Sequence, residues 1–366
     1  MAISSEDHVS KTYEEARERF LLAAKARGAK IDGHSIEARS QQDRELSIDT
    51  AYLGPESPRS VLAISSGIHG VEGFAGSAIQ HQLLREQLSE MKFGAECGLL
   101  LVHALNPFGF SELRRVNESN VDLNRNFVAH PEGHIANAGY EELYESINPT
   151  RIDDEGDEEN RRGALLAFAK AHGFPALQAA LSVGQYVHPE GVQFGGQKRE
   201  ETNQWVRDTA ISATRGAARV IWLDVHTGLG PFGEVEMIME SAPDAPDTLR
   251  ARRWWGDCVR SMQSEESVSA EVHGSIMVGL AEALPDCDLT VVGAEFGTYD
   301  PVRIFQAMRA DNWLHQHGEL ESEFGVAIKR ELLEVFRPEG RRWSSCVLEV
   351  GANLIARAVE GMEEAW

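Results

Sequence analysis

His69 and Glu72 stand three residues apart in the glycine-rich stretch SGIHGVEG at residues 66–73. An imidazole nitrogen and a carboxylate at this spacing can bind one zinc ion, although chance produces such a pair more often than a metal site does. His226 ends a second apolar run, residues 219–225, where an isolated histidine is usually structural. Together the three side chains form the His, Glu and His set of a catalytic zinc site whose fourth position is open to water. His69, Glu72 and His226 are therefore the candidate ligands of one Zn²⁺ ion per chain.

Glu295 follows a third apolar run, residues 289–294. A carboxylate at the end of such a run is costly to bury unless it is paired or has a chemical task. It is therefore either a salt-bridged residue or a general base that acts on metal-bound water. Glu349, within the apolar stretch 347–350, is the competing candidate for the base.

Asparagines and arginines are concentrated in the loop at residues 106–127, which includes Arg114, Arg115, Asn124 and Arg125. A guanidinium group matches a carboxylate or an oxyanion with two parallel hydrogen bonds. Loop-capping amides and surface arginines would give the same composition, so the pattern alone leaves both explanations open. The functional explanation predicts that this loop recognises a carboxylate-bearing substrate.

Short apolar runs and helical patterns indicate which elements position these residues. The runs are typical of strands buried on both faces and span residues 60–68, 98–105, 219–225, 235–239 and 289–294. Helical stretches lie at residues 9–28, 72–91, 161–182, 199–217, 246–263 and 301–317. This alternation predicts a layered α/β fold, with the ligand crevice at the carboxyl ends of the strands. We expect a single domain over residues 1–366, with a large insertion at about 128–218.

Composition excludes several classes of partner. The 366 residues contain 35 Lys and Arg against 58 Asp and Glu, a formal net charge of −23 that repels nucleic acids and anionic lipid surfaces. The first residues do not resemble a secretory signal, and four scattered cysteines exclude a cysteine zinc cluster. We expect a cytoplasmic protein without nucleic-acid or membrane partners. A small-molecule or short-peptide substrate is expected, and homo-oligomer formation is left open.

The motifs resemble those of the zinc carboxypeptidase superfamily, the carboxypeptidase A-like metallopeptidases, and are most similar to an uncharacterised bacterial branch of predicted metallopeptidases. The matching segments, in the order the family has them, are GIHGVEG at 67–73, NPFG at 106–109 and VDLNRNF at 121–127. His226 and Glu295 then follow at the expected places. The resemblance implies a single three-layer α/β domain in which helices cover both faces of a mixed, twisted β-sheet.

The same resemblance implies a role for each residue of the loop at 106–127. Asp122 would orient a ligand imidazole, and Asn124 and Arg125 would hold the terminal carboxylate of a substrate. Arg115 would polarise the scissile carbonyl, with Arg114 contributing to substrate binding, although the spacing leaves the choice between the two arginines open. Glu295 would activate water.

These roles imply a metallocarboxypeptidase that acts on short peptides. The alternative is an N-acyl amino acid amidohydrolase similar to aspartoacylase and succinylglutamate desuccinylase, and a further alternative is a catalytically inactive binding module on the same fold. The sequence departs from the digestive enzymes at Val71, where they have an arginine, and in lacking a match to their mobile tyrosine. Tyr299 lies close to Glu295 but follows it in the chain.

Overall fold

The computed structural model describes residues 4–91, 93–152, 155–214, 216–264 and 267–363. Within these residues there are eight strands: β1 (Lys30–Arg39), β2 (Glu45–Leu53), β3 (Ser60–Ser66), β4 (Cys97–His103), β5 (Arg219–Gly228), β6 (Val235–Met239), β7 (Val259–Ser261) and β8 (Asp288–Gly297). The helices of the same residues are α1 (Ser5–His8), α2 (Tyr13–Ala26), α3 (Gly73–Gln82), α4 (Pro107–Ser111), α5 (Ala138–Glu142), α6 (Tyr144–Ile147), α7 (Glu155–His172), α8 (Phe174–Ser182), α9 (Glu201–Ala213), α10 (Pro246–Trp255), α11 (Ile276–Ala283), α12 (Pro301–His317), α13 (Glu323–Phe336) and α14 (Arg341–Glu363).

All eight strands of the described residues form one mixed sheet in the order β1-β2-β4-β3-β5-β8-β6-β7. The four central strands, β4, β3, β5 and β8, run parallel to one another. The outer strands add antiparallel pairs, β1 with β2, β2 with β4, and β6 with β8. Because parallel strands end at the same edge, the carboxyl ends of the four central strands meet at one side of the sheet.

Helices cover both faces of this sheet because the central strands are buried on both sides. Successive side chains of a strand point to opposite faces. Leu62 and Ile64 of β3 therefore pack into a core with α3, α10 and α14, whereas Val61 and Ala63 pack into a second core with α9 and α11. This arrangement confirms the predicted α/β class, a mixed sheet between two helical layers.

Several predicted elements have different bounds in the structure. The stretch predicted as one helix at 161–182 forms two helices, α7 and α8, because the chain breaks at Gly173, whose φ of 91° belongs to the left-handed region. The helix predicted at 246–263 ends at Trp255, since Gly256 has a φ of 72° and β7 follows. Three strands, β1, β2 and β7, were not predicted.

The described part of the segment between β4 and β5 carries the α-helices α4 to α9. Helices α5 to α8 have a small apolar core of their own, which includes Tyr140, Ile147 and Phe168. The insertion at about 128–218 stays a prediction. Two helices of this segment, α7 and α8, line the cleft that is described below. Among the described residues, no helix combines the length and apolar character needed to cross a membrane.

Candidate metal centre and cleft

The predicted chemical residues meet at the carboxyl ends of the central strands. His226 on β5 and Glu295 on β8 are direct neighbours in the parallel register. His69 follows β3 after a turn in which Gly67 has a φ of 68°. The next glycine, Gly70, packs against the backbone of α4, where an added Cβ would lie 2.0 Å from the carbonyl carbon of Gly109. Glycine at both positions therefore allows the tight turn that presents His69 and the 3₁₀ helix after it.

His69, Glu72 and His226 form one buried cluster. Nδ1 of His69 lies 2.9 Å from Oε1 of Glu72, and Nδ1 of His226 lies 3.2 Å from Oε2 of the same carboxylate. One donor atom from each of the three side chains lies within 4.8 Å of the other two. The cluster therefore has three donors that converge on one point.

The donor set fits a divalent metal such as zinc. Two imidazoles and one carboxylate are the protein ligands of a common type of catalytic zinc site. The buried Nδ1 atom of His69 makes no hydrogen bond to the described residues. This is expected of a nitrogen whose lone pair binds a metal ion. The structure thus brings the three predicted ligands together in a site suited to a metal ion, without identifying the metal.

A carboxylate supports each of the two imidazoles from behind. Nε2 of His69 is 3.1 Å from Oδ1 of Asp122, and Nε2 of His226 is 2.8 Å from Oδ2 of Asp224. Such partners fix the tautomer and the ring orientation of a metal ligand. Asp122 was a predicted orienting residue, whereas Asp224 was missed. Its signal was present, because two residues separated by one on a strand point to the same face.

Asp224 belongs to a buried network of hydrogen bonds. Its Oδ1 atom accepts a hydrogen bond of 2.6 Å from Ser65, whose hydroxyl in turn accepts one of 2.8 Å from the indole of Trp222. All three residues are buried within the layers. The network leaves Oδ2 of Asp224 directed at His226.

Neighbouring charges set the protonation of the cluster. Although burial opposes it, the charge of His69, a hydrogen bond from His226 and the charge of Arg115 lower the pKa of Glu72. Burial favours the neutral form of His226. The charges of Asp224 and Glu72, which face its ring, nevertheless raise the pKa of His226 well above its ordinary value. Since an imidazole must be neutral to bind a metal, metal uptake is expected to release a proton from His226.

Glu295 lies at the same end of the cleft, with one side chain oxygen fixed. Oε1 accepts a hydrogen bond of 2.8 Å from the backbone N–H of Leu229. Burial, reinforced by the negative charge of Glu72, raises the pKa of Glu295 to about 7. A carboxylate with such a pKa can exchange protons near neutrality. Glu349, the competing candidate, is exposed on α14 and does not line the cleft.

The two adjacent arginines of the loop point to different places. Arg115 lines the cleft, where Nη1 is 2.9 Å from Glu72 and Nε is 3.1 Å from Asp122. Arg114 is buried away from the cleft, and donates from Nε to Asp311 at 3.3 Å and from Nη2 to Asn120 at 2.9 Å. The structure thus brings Arg115 to the predicted ligands and does not bring Arg114 there.

Asn124 and Arg125 also line the cleft. Oδ1 of Asn124 accepts a hydrogen bond from the backbone of Ile276, whereas its Nδ2 has no partner among the described residues. Arg125 donates from Nε and Nη2 to the carbonyl of Ser182 and from Nη1 to the carbonyl of Asn124. A guanidinium carries five N–H bonds, so one on each terminal nitrogen is left without a partner in the described part of the chain.

The cleft has a volume of about 1070 Å³, and the polar side chains of His69, Glu72, Arg115, His226 and Glu295 lie close together within it. Apolar side chains of α7, α8 and α12 form much of the remaining lining. Further apolar lining comes from Met262, residues 268–277, residues 229–232, Ile238 and Phe336. Tyr299 lines it too, but its hydroxyl donates to Glu334 and its ring lies 4.0 Å from the guanidinium carbon of Arg303. The cleft therefore combines a small polar end with a large apolar wall, as ligand sites commonly do.

The chain is similar to several solved structures. Carboxypeptidase A from Helicoverpa armigera is 14% identical with a TM-score of 0.47, and the alignment covers 90% of this chain and 75% of that one. A metallo-carboxypeptidase from Burkholderia cenocepacia is 13% identical with a TM-score of 0.47, covering 95% and 68%. An aspartoacylase family protein from Mesorhizobium loti is 13% identical with a TM-score of 0.36, covering 81% and 68%. At these identities the likeness concerns the fold and not the activity.

Metallocarboxypeptidases are thus among the structures that this chain resembles, as the sequence motifs predicted. No curated protein matches the sequence. A family model described as a protein of unknown function, DUF2817, matches residues 9–350. Because that match spans most of the sequence, the chain belongs to the DUF2817 family.

Proposed function

We propose that the protein is a zinc-dependent hydrolase that cleaves an amide bond in a small, carboxylate-bearing substrate. The observation that carries this proposal is the convergence of His69, Glu72 and His226 beside Glu295, with His226 and Glu295 in register on adjacent parallel strands. This arrangement supports the proposal, because three candidate metal ligands and a candidate proton acceptor line one cleft that is large enough for a small substrate.

The chemistry divides between the metal and the protein. A divalent ion held by the cluster would polarise the amide carbonyl and make a water molecule more acidic. Glu295, with a pKa of about 7, would accept a proton from the attacking water and return it to the departing amine. The N–H of Leu229 holds Oε1 of Glu295, so the second oxygen is the one left for this exchange.

Arginines and an asparagine would place the substrate. Nη2 of Arg115 has no hydrogen-bond partner among the described residues, and it would donate to the carbonyl oxygen as negative charge develops there. Nδ2 of Asn124 and the two unused N–H bonds of Arg125 would bind the substrate carboxylate. Arg114 is left out of this assignment because its guanidinium is paired with Asp311 and Asn120.

Cleavage of the last bond of a short peptide is the first candidate reaction, since a terminal carboxylate beside Arg125 places the preceding amide toward the cluster. Release of an acyl group from an N-acyl amino acid is the second candidate. The apolar wall of the cleft favours it as well, because an acyl chain needs such a surface. A metal-free binding module is disfavoured by the complete set of ligands and Glu295.

A substrate panel tests the proposal. Zinc-loaded protein is assayed against short peptides and N-acyl amino acids, each with a free and with an amidated carboxyl group, and we expect hydrolysis only where that group is free. Glu295→Gln is expected to keep the metal and lose turnover, whereas Glu349→Gln, a matched change at an exposed position, keeps both. Full activity in Glu295→Gln would contradict the assignment of the base. Absence of hydrolysis across the panel would contradict the proposed reaction.

A further inference from the structure

Helix α8 presents an apolar stripe to the cleft. Phe174, Leu177 and Leu181 all line it and follow one another at steps of three and four residues. Residues at this spacing share one face of a helix. Leu166 of α7 and Val302 of α12 line the same cleft. The stripe is therefore one apolar face of α8 that lines the cleft, with further apolar side chains supplied by two other helices.

One end of this stripe lies at the proposed carboxylate anchor. Arg125 donates from Nε and Nη2 to the carbonyl of Ser182, the last residue of α8, at 3.0 and 2.7 Å. At 1.5 Å of rise per residue, the seven steps from Leu181 to Phe174 extend roughly 10 Å along the helix. An apolar group attached close to the carboxylate would thus find a wall of about that length.

The outer end of the stripe is open to solvent. Phe174 is 71% exposed, Leu166 61% and Val302 62%, and all three line the cleft. Large apolar side chains exposed around one cleft mark a surface that a ligand covers. Away from the metal end, the charged residues that line the described part of the cleft are Arg162 and Asp300, both exposed. This wall offers no buried carboxylate to a cationic substrate.

We propose that the substrate carries an extended apolar group, an aliphatic chain or an aromatic side chain, which lies along the stripe of Phe174, Leu177 and Leu181. This inference rests on the proposed function, because it uses Arg125 as the carboxylate anchor. It narrows the substrate to a carboxylate-bearing amide with a long apolar part. Small hydrophilic amides and substrates with a basic side chain would bind weakly, since they leave the stripe uncovered.

Binding to the zinc-loaded Glu295→Gln variant tests the inference without relying on turnover. One series of ligands varies the acyl chain on a fixed amino acid from acetyl through hexanoyl to dodecanoyl, and a second varies the amino acid from glycine to leucine to phenylalanine on a fixed acetyl group. We expect Kd to fall by up to about fourfold per methylene in at least one series. The gain should stop once the chain exceeds the roughly 10 Å of the stripe.

A surface variant shows whether the stripe is responsible. Phe174→Ser combined with Leu166→Ser, both made at exposed positions, should remove the part of the gain that the longest chains show and leave binding of the acetyl ligand unchanged. Leu22→Ser, at an equally exposed position on α2 that does not line the cleft, is the matched control. Flat affinity in both series, or an unchanged gain in the double variant, would overturn the inference. Chain-length-dependent binding without hydrolysis by the wild-type protein would support the inference and contradict the proposed reaction.

Discussion

Replacing Asp224 removes the carboxylate that orients His226, a proposed metal ligand, and leaves His226 itself unchanged. Asp224 is fully buried, and its Oδ2 atom lies 2.8 Å from Nε2 of His226. Asparagine keeps the shape of the side chain but removes the negative charge, whereas alanine removes the charge and both carboxylate oxygens. Alanine also leaves the hydroxyl of Ser65 and the ring of His226 without the carboxylate.

The size of the effect follows from this geometry. Loss of a carboxylate that orients a metal-bound histidine weakens metal affinity by about 10- to 100-fold. This range corresponds to roughly 1.4 to 2.7 kcal/mol. We expect Asp224→Asn near the lower limit, because its amide oxygen can still accept a hydrogen bond from Nε2, and Asp224→Ala near the upper limit.

The pH dependence gives a second readout. Despite its burial, His226 has a pKa well above its ordinary value because of the charges of Asp224 and Glu72. Protons therefore compete with the metal in the wild type, and affinity falls as the pH falls. Asp224→Asn removes one of these charges and lowers the pKa of His226. The affinity deficit of the variant should thus shrink toward acidic pH.

Competition with a chromophoric chelator at several pH values measures both effects, and circular dichroism checks the fold. Asp49→Asn is the matched control: Asp49 is another buried carboxylate, paired with Arg17 on Nε at 2.6 Å, and it does not line the cleft. Its metal affinity should equal that of the wild type. A folded Asp224→Ala protein that binds Zn²⁺ within threefold of the wild type at alkaline pH would refute the reasoning.

Three further predictions concern the surroundings of the site. Gly70→Ala should cost about 3 kcal/mol in the free energy of unfolding, because the new Cβ would lie 2.0 Å from backbone of α4, and chemical denaturation measures it. Burial lowers the pKa of His103 to about 4. The folded protein therefore loses stability as the pH falls from 6.5 toward 4, because the unfolded chain binds a proton at this histidine and the folded protein does not. His103→Gln should therefore lose about 2 kcal/mol less stability than the wild type between pH 7.5 and 5, and equal losses would contradict this. Asp311→Asn should destabilise the fold by about 3 kcal/mol or more and spare metal affinity, because Arg114 and Lys329 would keep buried charges without their carboxylate.

The ends of the central strands could be predicted from the sequence because those strands are buried on both faces. A continuous apolar run that stops at a polar residue, as at Glu295, indicates a strand and the approximate position of its carboxyl end. Parallel pairing then brings His69, His226 and Glu295 to one edge without any knowledge of the loops. The local pattern therefore indicated His69, Glu72, His226 and Glu295 as candidates, and the resemblance to the zinc carboxypeptidases implied the role of each.

The outer strands did not follow from that pattern. β1 is exposed or half-buried at every residue, and its sequence, KIDGHSIEAR, contains no apolar run. β2 has a partly polar sequence, ELSIDTAYL, although most of it is buried. A strand at or near the edge of a sheet need not be apolar on both faces, so a criterion based on continuous apolar runs misses it.

The choice between Arg114 and Arg115 required long-range information. Spacing along the chain treats the two as equivalent, but their side chains point to different partners. Asp311, which binds Arg114, lies 197 residues further along the chain on α12. Likewise, only packing shows that α7 and α8, within the segment predicted as an insertion, form a wall of the cleft.

Zinc binding by the isolated chain tests the central claim most directly. Protein freed of metal with a chelator is titrated with Zn²⁺ by calorimetry, for the wild type, His69→Ala, His226→Ala and the exposed control Glu349→Gln. The cluster of His69, Glu72 and His226 predicts one tightly bound equivalent per chain in the wild type and the control, and loss of that binding in both histidine variants. A wild-type protein that binds no Zn²⁺, or histidine variants that bind it as tightly, would contradict the account.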